Sequence, residues 1–174
     1  TTLCIDPNDI EHRISDMTKA IVVVHYMGHP ADMDPIMEIA RKHKIKVIED
    51  VSHAQGGLYK GRKVGTIGDI GAMSLMSGKS FATGEGGIIV TNDREMYERA
   101  IAFGHYERYR ENDMQTEYLK PFAGLPLGGY KYRMHQMSSA VGLVQIKYYD
   151  ERCEEIRKAM NYFWDLLEGV PGLK

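Results

Sequence analysis

An unbroken apolar run, Ala20 to Val24, is followed by a helical pattern opening at Asp34-Pro35 and then by a second strand pattern, Lys46 to Glu49. A strand that never alternates with polar residues reads as one covered on both faces, as strands of parallel sheets are. Ile36, Ile39 and Ala40 fall on one stripe, and the basic cluster Arg41-Lys42-His43-Lys44 suits the negative end of a helix. Strand, helix and strand in this order make a βαβ unit, whose crossover leaves the two strands parallel. The chain is therefore expected to be α/β, with a mixed and mostly parallel sheet flanked by helices.

The remaining segments fit around that unit. Asp6 caps a short helix that starts at Pro7 and runs to about Ser15. Ala72 to Leu75 and Gly87 to Thr91 read as two further strands, and the glycines between them allow an antiparallel return. Asp93 caps a helix from Arg94 to Phe103, residues His105 to Gly128 read as an irregular functional loop, a long amphipathic helix begins near His135, and a last helical stretch reaches Leu167. With 174 residues, 26% of them charged and 43% apolar, the chain can bury one core. A net charge of -2 gives no attraction to nucleic acid or to an anionic membrane, and no run approaches the roughly 18 apolar residues of a spanning helix. Cys4 and Cys153 stand far apart with no Cys-x-x-Cys pair or signal-like segment, so a reduced, cytoplasmic setting is expected.

The chemistry concentrates in Ser74-Leu75-Met76-Ser77-Gly78-Lys79, followed by Gly84-Glu85-Gly86-Gly87, with Asp50 at the end of the second strand. Pyridoxal 5'-phosphate needs a lysine amine for its aldehyde, an acid for its pyridine nitrogen, and hydroxyl or N–H donors for its phosphate. Lys79, Asp50 and Ser74 can supply these, and Asp50 lies at the carboxyl edge of the sheet, where open α/β folds bind ligands. Taken singly, each has a plain structural reading: a solvated lysine, a capping carboxylate, a half-buried strand hydroxyl. Two rivals are weaker. Ser77-Gly78-Lys79-Ser80 echoes the tail of a phosphate-binding Walker loop, but Met73 stands where that pattern needs glycine. His25 and His29 have helical metal-ligand spacing, yet Gly28 and Pro30 oppose a helix there, no Glu follows His25, and no metal site is expected.

Several motifs in order carry a resemblance to a known family. Thr18 to His25, Gly28-His29-Pro30-Ala31-Asp32-Met33-Asp34, Val47-Ile48-Glu49-Asp50, Gly68-Asp69-Ile70-Gly71, Ser74 to Gly87, Gly129-Tyr130-Lys131-Tyr132-Arg133-Met134 and Ala140 to Gln145 together resemble the DegT/StrS family of sugar aminotransferases. The resemblance implies the large domain of a fold-type-I pyridoxal-phosphate-dependent transferase over residues 1–134, with helices leading into a small C-terminal domain over 135–174. It implies a Schiff base on Lys79, Asp50 on the pyridine nitrogen and Ser74 on the phosphate. His53 would lie beside the cofactor ring, where the family more often has glutamine. Lys131 stands where the family has an asparagine that reaches the cofactor phosphate of the other subunit, which implies a homodimer.

Members that remove a sugar hydroxyl carry histidine at the position of Lys79, so the lysine argues for amino transfer. The implied reaction moves an amino group from glutamate or glutamine to a keto sugar, nucleotide-linked, or to a keto-cyclitol. The alternative of another class is a non-catalytic regulator that keeps the fold, against which the intact Asp50, Ser74 and Lys79 count. Thr1-Thr2-Leu3-Cys4-Ile5-Asp6-Pro7 resembles a mid-protein stretch of the family, so the chain is expected to be a fragment that alone binds cofactor poorly.

Overall fold

A computed structural model of the protein describes residues 2–105, 107, 114–125 and 130–172. Asp6 accepts a hydrogen bond from the Asn8 N–H and Pro7 fills a first-turn position that needs no N–H, so helix α1 (Pro7–Arg13) starts where the sequence places it. Strand β1 (Ala20–Val24), helix α2 (Met33–His43) and strand β2 (Lys46–Asp50) then form the βαβ unit, with β1 and β2 parallel. Helix α2 begins slightly before Asp34 and ends on Lys44, which takes a left-handed φ of 55° and returns its N–H to Ala40 and Arg41. Strand β5 (Ile70–Ser74) continues the sheet in parallel, and β6 (Gly87–Val90) closes it antiparallel to β5, in the spatial order β1-β2-β5-β6.

Between β2 and β5 lies a hairpin with no expectation from the sequence, β3 (Leu58–Tyr59) and β4 (Arg62–Lys63). Lys60 and Gly61 both take positive φ, 48° and 81°, as a tight two-residue hairpin loop requires. The Tyr59 hydroxyl donates to Asp32 and accepts from the Asp34 N–H, which fastens the hairpin to the start of α2.

The core lies on one face of the sheet. Ile21, Val23 and Val47 pack with Ile10 of α1 and Met33, Ile36 and Ala40 of α2, each burial worth about 1.5–3 kcal/mol for a large aliphatic side chain. The other face differs from the expectation of a doubly covered strand: Val22 is 57% exposed, and Ile89 58%. The helices of the βαβ unit cover only the Val23 side, so the apolar run of β1 is half used within these residues. Asp50 and Ser74 belong to the uncovered face, since Asp50 pairs with Ala72 and Ser74 lies two residues further along β5.

Helix α3 (Arg94–Gly104) is capped by Asp93, which accepts from the Met96 N–H. Its buried Glu98 accepts from Arg94 and from the Gln115 and Thr116 N–H groups, so one carboxylate ties α3 to the segment that continues into the 3-10 helix Glu117–Phe122. Those bonds outweigh the opposing effect of burial and hold the Glu98 carboxyl far below its usual range. Residues 106, 108–113 and 126–128 of the expected functional loop lie outside the described residues. Helices α4 (Gln136–Lys147) and α5 (Tyr149–Leu167) follow the expected boundaries, but α4 is not amphipathic. Met137, Val141, Leu143, Val144 and Ile146 are all exposed and spread around its axis. Among the described residues, no helix is long and apolar enough to cross a membrane.

Candidate active site

β2 and β5 end side by side, and the residues that finish them carry the site. Asp50 accepts a 2.9 Å hydrogen bond from the Ser52 N–H, while the Ser52 hydroxyl accepts from the Ser74 N–H at 3.0 Å, so one serine links the two strand ends. Burial pulls the Asp50 carboxyl upward, but the Ser52 bonds and the charges of His53 and Lys79 outweigh it and hold the group below its ordinary 3.8. Asp50 is thus ionised at neutral pH, and Lys79 lies near enough for its charge to contribute. The Ser74 hydroxyl accepts from the Met76 N–H at 3.2 Å and retains its own proton to donate.

Lys79 is half-buried in the loop that leaves β5, with its N–H on the Met76 carbonyl at 2.9 Å. Leu75, buried at the root of that loop, takes the Thr83 N–H on its carbonyl and donates its own N–H to Gly86, so the chain is drawn back toward β6. The donor set fits pyridoxal phosphate: an ionised acid for a pyridinium, an amine within its field, and a serine hydroxyl able to donate to an anionic oxygen.

Directly under Asp50, on the opposite face of β2, lies a buried polar cluster that sequence reasoning did not anticipate as a unit. Glu49 Oε1 accepts from the Ile67 and Gly68 N–H groups at 2.7 and 2.6 Å, and Oε2 from the Gly65 N–H at 2.7 Å and His25 Nε2 at 3.0 Å. His25 Nδ1 accepts from the Ala31 N–H, so the proton sits on Nε2 and points at Glu49. Full burial opposes the charge on Glu49, but His25 and the three backbone donors prevail and lower its pKa. Both nitrogens of His25 are therefore used inside the fold, which removes it as a metal ligand.

The other two sequence candidates are placed apart from the Asp50–Lys79 cluster or at its rim. His53 is exposed, with its ring 5.5 Å from that of Tyr26 at an angle of 55°. Lys131 pairs with Glu107, which also holds Arg133 at 2.7 Å. Within one chain, then, Lys79 acts on Asp50 and Ser52 links Asp50 to Ser74, while Lys131 pairs with Glu107. Gly129, the first residue of its turn, lies outside the described residues. Ser52 is the residue missed: its position two after Asp50, where an Asx-type bond to the strand end can form, was the available signal.

The mostly parallel α/β sheet with its flanking helices matches the fold of fold-type-I pyridoxal-phosphate enzymes. The chain belongs to the DegT/DnrJ/EryC1/StrS aminotransferase family, whose model matches residues 1–174. It is 40% identical over 156 residues to an Escherichia coli GDP-perosamine synthase, covering 90% of this chain and 40% of that protein. Among solved structures, it is similar to the Helicobacter pylori aminotransferase PseC, involved in the biosynthesis of pseudoaminic acid (TM-score 0.83, 28% identity, 97% of this chain and 43% of that one). It is also similar to an E. coli GDP-4-keto-6-deoxy-D-mannose-3-dehydratase with bound hydrated PLP (TM-score 0.81, 29% identity, 99% of this chain and 46% of that one). The chain thus spans under half the length of these relatives.

Proposed function

We propose that the protein to which these residues belong is a pyridoxal-phosphate-dependent aminotransferase that moves an amino group from glutamate or glutamine to a nucleotide-linked keto sugar or a keto-cyclitol. The observation that carries this reading is Lys79 standing within the field of an ionised Asp50, beside Ser74. When bound, the cofactor supplies an electron sink for the α-carbon of the amino donor. Asp50 would offer its charge to the ring nitrogen, and Ser74 Oγ would donate to the phosphate. Lys79 Nζ would hold the aldehyde at rest and, once released by the donor amine, would take the proton from the donor α-carbon and deliver it to the cofactor carbon that had carried the aldehyde.

Relatives by likeness include both an aminotransferase and a dehydratase. The primary amine at position 79 favours amino transfer, because it can act both as aldehyde partner and as proton shuttle. The test is borohydride reduction of the whole protein loaded with cofactor. The expected result is a pyridoxyl adduct on the peptide containing Lys79, and loss of both adduct and transamination in Lys79→Ala. An adduct confined to Lys63 or Lys131 would refute the assignment.

A further inference from the structure

The loop that presents Lys79 is held at both ends by Gln55, a residue with no assigned role in the proposed chemistry. Gln55 Nε2 donates to the Ser74 carbonyl at 2.6 Å and the Phe81 carbonyl at 3.0 Å, and its Oε1 accepts from the Phe81 N–H at 2.7 Å and the Ser80 hydroxyl at 2.8 Å. Carbonyls only accept and a backbone N–H only donates, so the amide can sit only this way round, with both its donors and both acceptor positions used. One end of this clamp is Ser74, the candidate phosphate contact. The other is Ser80-Phe81, directly after Lys79.

A second residue fixes the clamp to a distant helix. Tyr149, the first residue of α5, donates its hydroxyl to the Gln55 carbonyl at 2.8 Å and lies 3.0 Å from Ser80 Oγ. Its ring meets Phe81 edge-on, with centroids 5.4 Å apart at 82°. Burial pushes the Tyr149 phenol up, so the hydroxyl keeps its proton. That proton goes to the Gln55 carbonyl, which leaves the single Ser80 proton shared between Gln55 Oε1 and the Tyr149 oxygen. Ser80 Oγ, the Tyr149 hydroxyl, and the backbone carbonyl and side-chain amide of Gln55 thus form one closed circuit of hydrogen bonds at the residue after Lys79.

We propose that Gln55 and Tyr149 are positioning residues for the Lys79 amine: Gln55 closes the two ends of its loop on each other, and Tyr149 makes the loop's placement depend on α5. The proposal rests on the reading of Lys79 as the cofactor lysine. A loop tethered at both ends fixes the lysine Cα, while its flexible stem supplies the final reach. Releasing either tether displaces the amine relative to Asp50, and a displacement of about 1 Å at a reacting atom costs on the order of a hundredfold in rate.

The test uses the whole protein with Tyr149→Phe, which keeps the ring on Phe81 and removes both hydroxyl bonds, and Gln55→Glu, which keeps the acceptors and removes the donors. Tyr59→Phe is the control, since it removes a tyrosine hydroxyl bonded far from Lys79. Without cofactor, amide exchange at Lys79 and Phe81 should quicken about tenfold in Tyr149→Phe as the loop opens locally. With cofactor, the pH midpoint of the visible band should move by about half a unit, because the nitrogen's distance from Asp50 changes. The kcat should fall about tenfold or more while KM for the amino donor stays within about twofold, the pattern of a misplaced reacting group. If both variants lose thermal stability yet keep wild-type exchange, band midpoint and kcat, the residues are only structural and the proposal is overturned. If the wild-type protein itself gives no Lys79 adduct on borohydride reduction, the cofactor reading fails and takes the proposal with it. The two failures are thereby distinct.

Discussion

Replacing Glu49 by glutamine changes one atom, and the structure says what that atom does. Four donors converge on the carboxylate: the N–H groups of Gly65, Ile67 and Gly68, and His25 Nε2. An amide has one oxygen to accept and an NH2 that can only donate. If the oxygen keeps Ile67 and Gly68, the NH2 faces the Gly65 N–H and His25. His25 cannot relieve the conflict by moving its proton, because Nδ1 must remain free to accept from the Ala31 N–H. Two donors are therefore stranded in a fully buried site, in either orientation of the amide. At about 1–3 kcal/mol for each buried group left unpaired, Glu49→Gln should cost about 2–6 kcal/mol, a large share of a domain's stability. Urea unfolding of the whole protein followed by circular dichroism measures this as a lowered midpoint.

The sign of the pH dependence is fixed as well. The Glu49 pKa is lowered in the fold, so its stabilisation is complete above the ordinary value of 4.5 and is lost as pH falls through the folded value. The gap between wild type and Glu49→Gln should accordingly be widest near neutral pH and shrink on acidification. A loss under about 1 kcal/mol at neutral pH, or a gap that widens in acid, would refute the four-donor account.

The other perturbations reach the site and its frame. Asp50→Asn should slow removal of the donor α-proton about a hundredfold or more while cofactor is retained, seen by stopped-flow absorbance; near-normal turnover would show that the carboxylate does not face the ring nitrogen. Lys131→Met should loosen the cofactor and make its retention less sensitive to ionic strength, by equilibrium dialysis at two salt concentrations; unchanged affinity would show that Lys131 does not reach the phosphate. A Cβ placed on Gly71 would sit 2.3 Å from the Gly65 carbonyl oxygen, so Gly71→Ala should destabilise by about 3 kcal/mol or more in thermal unfolding. A stable Gly71→Ala protein would mean that the Gly65 turn does not lie against β5.

The parts of this molecule legible in its sequence are those whose physics is local. Asp6-Pro7 and Asp93 declare themselves because a cap is decided by adjacent residues, and the apolar run marks β1 as a strand though not which of its faces is covered. Asp50, Ser74 and Lys79 could be chosen because the cofactor's chemistry asks for an acid, a hydroxyl and an amine, and the βαβ order places the acid at a ligand-binding edge. The β3–β4 hairpin escaped notice because two-residue strands have no alternation to read, and its turn uses Lys60-Gly61 rather than the usual Asn-Gly. The bond from Tyr149 to Gln55 spans 94 positions, and no periodicity connects residues that far apart. Helix α4 shows the limit from the other side. Its apolar side chains mark surface that can be buried, but not on which side or against what.

Glu49 and Asp50 are neighbours in sequence with opposite fates: the strand's pleat turns one acid into the fold, where every lone pair is engaged, and turns the next toward open space. A single-residue insertion or deletion within β2 would exchange the two directions. The glycine-rich turn would lose its anchor in the same event that removed the acid from the sheet edge. A shift in the register of this strand would therefore disturb the glycine-rich turn and the candidate acid together.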